Sequence, residues 1–83
     1  MVTVLFFAGL REAVGTGIEE LALPAGVDTV AGLRDHLIAR GEQWQALATA
    51  KNLRAAVNQD MVPLTTAIKD GDEVAFFPPV TGG

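Results

Sequence analysis

Cysteine is absent from this chain. Its absence removes disulfide stapling, a thiol nucleophile and a thiolate metal site together, so any sulfur handled here must be borrowed sulfur. Positive charge is scarce as well: six Lys and Arg stand against ten Asp and Glu, for a formal net charge of -4. The six basic residues are scattered rather than clustered, which argues against phosphate-backbone binding and against nucleic acid as a partner. An acidic body suits a basic protein partner instead, through encounter rate and choice of partner. A long apolar run is also lacking. The opening Met1-Val2-Thr3-Val4-Leu5-Phe6-Phe7-Ala8 has no basic n-region and is far too short to span a bilayer, so no membrane role and a cytoplasmic location are expected.

What is present is apolar and foldable. Hydrophobic residues make up 49% of the 83 and charged residues 19%, too apolar and too weakly charged for disorder. A chain of this length buries only about 60% of its unfolded surface. One domain over residues 1–83 is expected, with little room for a deep internal active site.

The pattern along the chain is mixed α+β, without repeats or low-complexity linkers. Val2 to Ala8 reads as a strand, Gly9 to Gly15 as a single helical turn closed by glycine, and Ile18 to Leu23 as a second strand ended by Pro24-Ala25-Gly26. The short Gly15-Thr16-Gly17 link makes these two strands neighbours. Asp28 or Thr29 caps the main helix, with Val30, Leu33, Leu37 and Ile38 on one face and Gly41 as its stop. A shorter helix, Glu42 to Ala50, offers Trp44, Leu47 and Ala48 as a second apolar face. Leu53 to Val57 is a strand, Asn58-Gln59-Asp60 turn material, Met61 to Leu64 a short return strand, and Asp70-Gly71-Asp72 a tight turn into the last strand, Glu73 to Phe77.

The first and last strands are the most apolar, which places them side by side and parallel at the centre of a mixed sheet of about five strands, with one main helix across one face. Successive side chains of a strand point to opposite faces. Phe6-Phe7 and Phe76-Phe77 therefore each send one ring to either side, and a single helix layer covers only one side. The other side shows a ring from each central strand, joined by Met61, either as a protein interface or under loops that fold over it.

The last residues differ from an ordinary frayed end. Pro78-Pro79 favour extended backbone, and Gly82-Gly83 carry no Cβ that would obstruct a narrow channel. Pro78, Pro79, Val80, Thr81, Gly82 and Gly83 together reach about 20 Å at roughly 3.3 Å per residue, so the tail reads as a probe that enters a partner while the folded body stays outside.

The runs Val4-Leu5-Phe6-Phe7-Ala8 with Leu10-Arg11-Glu12, Ala56-Val57-Asn58-Gln59, and Asp70-Gly71-Asp72-Glu73-Val74-Ala75-Phe76-Phe77-Pro78-Pro79-Val80-Thr81-Gly82-Gly83 closely resemble the MoaD-type sulfur carriers, the small subunits of molybdopterin synthase. The resemblance spans the chain, although Ile18 to Lys51 matches mainly in pattern. It implies a ubiquitin-like β-grasp fold. It also implies that an ATP-dependent, MoeB-type enzyme adenylates the Gly83 carboxylate, that a persulfide donor converts it to a thiocarboxylate, and that the tail then enters a MoaE-type large subunit. There the sulfur passes to cyclic pyranopterin monophosphate to build the molybdopterin dithiolene, in an assembly of two small and two large subunits. By the same resemblance, catalytic groups belong to the large subunit, this chain holds no cofactor or metal, and Phe7, Arg11, Met61 and Phe77 face the partner. A carrier for thiamine or cysteine synthesis shares the fold and chemistry, and a ubiquitin-like modifier shares the fold and tail.

Taken singly, the other polar residues carry little. His36 sits about 120° from the centre of the helix's apolar arc and reads as a surface histidine. Gly15-Thr16-Gly17 lacks the continuing glycine fingerprint of a phosphate cradle, and Asp70 and Asp72 read as turn formers. Arg11 is either a plain surface charge or a partner contact beside Phe7.

Overall fold

The alternation Val2-Thr3-Val4-Leu5-Phe6 puts three apolar side chains on one face of a strand, and all three are buried. In the computed structural model, which describes residues 1–49 and 53–78, this strand is β1 (Val2–Phe6). The further elements are α1 (Ala8–Val14), β2 (Ile18–Leu21), α2 (Val30–Ile38), a 3-10 turn (Glu42–Gln45) running into α3 (Ala46–Thr49), β3 (Arg54–Val57), β4 (Asp60–Val62) and β5 (Glu73–Phe77). The sheet order is β2-β1-β5-β3-β4. The first and last strands pair in parallel at its centre, with Val4 opposite Val74 and Phe6 opposite Phe76, and the remaining pairings are antiparallel. This is a β-grasp sheet, as the sequence pattern predicts.

Every helix lies on the same side. Val30, Leu33 and Leu37 of α2, Leu10 and Val14 of α1, and Trp44 and Leu47 beyond them are buried against Val2, Val4, Phe6, Ala55, Val74 and Phe76 of the sheet. At the centre the Phe6 and Phe76 rings stack at 6.2 Å, and Trp44 meets Phe6 at 5.7 Å. Arg40 closes the rim, spanning the Trp44 ring and pairing with Glu19 of β2.

Thr29 is the residue that caps α2: its hydroxyl accepts from the Gly32 amide at 3.0 Å. The other early amides of α2 are also taken, Val30 by the Thr66 carbonyl, Ala31 by Leu64 and Leu33 by Thr29, so the loop before β5 is stitched to the helix start.

The structure shifts several expected boundaries. α1 runs two turns rather than one, because Leu10 and Val14, four apart, share a buried face. α2 ends at Ile38, and Gly41, at φ 145°, opens the 3-10 turn instead of stopping the helix. That turn advances faster per residue than an α-helix, which rotates Ala48 out to solvent while Trp44 and Leu47 stay buried. β4 starts at Asp60 because Asn58 and Gln59, both at positive φ, complete a two-residue hairpin turn and leave Asp60 to pair with Val57.

Candidate functional site: the open sheet face and the tail root

Cross-strand partners project to the same face, so the registers specify the side of the sheet that bears no helix. Its middle row runs Ile18, Leu5, Ala75, Ala56, Met61 across all five strands. Towards the start of β1 lies a polar row, Glu20, Thr3 and Glu73. Towards its end Phe7 meets Phe77 edge-on at 6.2 Å, and Phe77 is paired with Arg54. Phe7, Ile18 and Met61 are 48%, 58% and 56% exposed. No described loop folds over them. The alternative of a finished second core under loops fails because these side chains stand open to solvent.

The tail follows directly on β5, a central strand of this face. β5 is paired on both sides, and its end is pinned by the Phe7 amide donating to the Phe76 carbonyl at 3.2 Å. Pro78 follows, half-buried. A central strand is the best-anchored place from which to extend a segment. Pro79, Val80, Thr81, Gly82 and Gly83 lie outside the described residues.

Arg11 is exposed one helical turn after Phe7, and its side chain lies across the Gly15–Gly17 turn; a Cβ at Gly17 would stand 2.9 Å from its Nε. Glycine at 17 therefore makes room for an arginine, not a phosphate. Arg34, Arg40 and Lys69 each have an acidic partner, Asp35, Glu19 and Asp72. Arg11 and Arg54 have none among the described residues; Arg54, paired with Phe77, stands at the tail end of the open face, whereas Arg11 belongs to α1 on the helix side. Of this face, sequence reasoning finds Phe7, Phe77 and Met61. It misses Ile18 and Arg54, which become neighbours of Leu5 and Phe77 only once the registers are known.

Asp72 is more than a turn former. It is buried, accepts from the Lys69 amide at 2.9 Å and from the Asn58 side chain at 3.1 Å, while Asn58 in turn accepts from the Glu73 amide. These donors, the Lys69 amide foremost, hold its carboxyl below the usual range despite burial. It precedes β5, whereas the tail follows it, so about 17 Å of strand separates the two. Asp72 thus locks the turn and takes no part at the tail. His36 is half-buried on α2, on the far side of the sheet. Among the described residues no helix is long and apolar enough to cross a membrane.

Residues 4–83 match the model of the ThiS family. The chain is 51% identical over its whole length to the whole of the molybdopterin synthase sulfur carrier subunit of Escherichia coli (strain K12). In three dimensions it resembles SAMP1 from Haloferax volcanii, with TM-score 0.77 and 26% identity over 99% of this chain and 98% of that one. It also resembles a chain of the complex of subunits 1 and 2 of molybdopterin-converting factor from Helicobacter pylori 26695, with TM-score 0.64 and 25% identity over 99% and 97% of the two chains.

Proposed function

The chain belongs to the ThiS family, among the molybdopterin synthase sulfur carrier subunits, and on that footing we propose that residues 78–83 are its working part and the open sheet face its dock. A free α-carboxylate, with pKa about 3.3 to 3.7, is ionised at neutral pH and a poor electrophile. It needs a leaving group. A MoeB-type activating enzyme transfers AMP from ATP to the Gly83 carboxylate and releases pyrophosphate, and persulfide sulfur then attacks the carbonyl and expels AMP. Thiol reduction of the resulting acyl disulfide leaves the thiocarboxylate. ATP is used by the activating enzyme and is not held by this chain.

The charged tail next enters a MoaE-type large subunit, which supplies the pterin pocket and the acid–base groups, and delivers its sulfur to cyclic pyranopterin monophosphate. Water returns the carboxylate. A side chain at Gly83 would crowd attack at the carbonyl, and one at Gly82 would widen the segment that threads the channel. The family's arrangement suggests two small and two large subunits, working in the cytoplasm.

The observation that carries this reading is that the tail follows directly on the central strand, whose last residue, Phe77, meets the exposed Phe7 ring. The rings give a partner something to grip at the place where the chain must be aimed. Incubation with activating enzyme, ATP and a sulfur donor is expected to replace one oxygen by one sulfur at the C-terminus on intact-mass analysis. An unchanged mass with an enzyme active on another carrier refutes the proposal, and isopeptide adducts on other proteins would favour a modifier.

A further inference from the structure

The open face is graded along β1. Glu20 and Glu73 mark one end, the Ile18-to-Met61 apolar row crosses the middle, and Phe77 with Arg54 marks the other, about 13 Å away at roughly 3.3 Å per residue. With the strands of two such faces kept aligned, an in-plane two-fold axis runs either along the strands or along the apolar row. The first sets the Glu73 of one copy against the Glu73 of the other. The second reverses the strands, lays apolar row on apolar row, and places Glu73 of each copy across the interface one strand over from Arg54 of the other.

We propose that this chain, when no partner protein is present, pairs with a second copy of itself through the open sheet face in that strand-reversed orientation. Of the two aligned arrangements this one makes the charge pattern self-complementary, and Arg54 and Glu73 have no ion pair of their own among the described residues. Because the interface is isologous it closes at two copies and does not propagate into fibres. The pairing covers the exposed Ile18, Met61 and Phe7, which otherwise meet water in the free carrier.

Its strength follows from area. Five strands about 4.8 Å apart and averaging about 14 Å in length present roughly 330 Å² per copy, under half of the roughly 800 Å² per partner of a standard interface. The pair is therefore weak and readily exchanged. It shields the face without holding the carrier away from a tighter partner. The two Pro78 residues stand at opposite ends of the pair. The inference concerns the free carrier and holds whichever protein the tail serves.

Sedimentation equilibrium of the full chain, from tens of micromolar to millimolar, tests it. A monomer–dimer equilibrium that weakens with added salt is expected. Arg54→Glu should raise the dissociation constant about tenfold by setting like charges opposite, Glu73→Arg should do the same, and the double variant R54E/E73R should restore association because the gradient is reversed but still self-complementary. Circular dichroism of each variant checks folding, and restoration in the double variant excludes misfolding as the cause. A monomer at every concentration, or a dimer indifferent to both single reversals, overturns the proposal. Neither result touches sulfur loading of Gly83, which is read by mass.

Discussion

Phe76 and Phe77 are neighbours in sequence and should fail in opposite ways when truncated. Phe76 is fully buried and stacked on Phe6 at 6.2 Å. Truncating such a ring costs about 3–5 kcal/mol through lost burial and the cavity left behind. At about 0.05–0.15 kcal/mol per residue, 83 residues carry about 4–12 kcal/mol in total, so Phe76→Ala removes roughly a quarter or more of the stability. Phe77 is half-buried and meets Phe7 edge-on. Losing that pair costs about 0.5–1.5 kcal/mol of stability, while affinity for the large subunit should fall by more than about 1 kcal/mol, fivefold or more. Urea unfolding followed through Trp44, the single tryptophan, which lies against Phe6, reads the first quantity. Titration calorimetry against the large subunit reads the second. If Phe77→Ala unfolds the chain as readily as Phe76→Ala, or leaves affinity unchanged, the assignment of the two faces is wrong.

Deleting Gly83 should abolish sulfur loading and leave the thermal midpoint unchanged, since the deletion removes no buried side chain; a large fall in the midpoint by differential scanning calorimetry would contradict this. Asp72 has a folded pKa below its unfolded value of about 3.9. Its contribution is therefore complete above about pH 4 and is lost as pH falls through the folded pKa. Asp72→Asn should flatten that part of the stability–pH profile measured by urea unfolding, and an undiminished slope would place the acid sensitivity elsewhere.

Much of the fold is legible because local signals and burial agree. β1 alternates cleanly, Thr29 precedes an apolar helical face, and the apolar richness of the first and last strands predicts their central, parallel pairing. The errors fall where short-range geometry competes with periodicity. Glu42 to Ala50 reads as one helix, but its first part winds as 3-10 and Ala48 turns outward, while Ala50 lies outside the described residues. Asn58-Gln59 completes its turn one residue early because both residues accept positive φ, which for Gln59 no propensity announces. Asp72 looks like a generic turn aspartate because its partner Asn58 is 14 residues away. At the site, each ring of the Phe-Phe pairs can be assigned a face from alternation alone. Ile18 and Arg54 cannot, because which residues join a row depends on register between strands distant in sequence.

The composition of the open face resolves a conflict between folding and docking. A small domain has few apolar residues to spare from its core, and a large exposed patch invites aggregation. Here the two central positions of the apolar row are alanines, 75 and 56, only 8% and 7% exposed although they lie on the open side. Their shielding comes from larger neighbours in the same and adjoining rows, Leu5, Phe77 and Met61. The face is therefore a shallow trough with an apolar floor and exposed walls. Little apolar surface is offered to water at the floor, yet a partner side chain placed there would be desolvated on every side, the setting in which a few residues carry most of the binding energy. Small residues at the floor and large ones at the rim let the carrier remain folded and free of aggregation alone while still docking tightly enough to aim its tail.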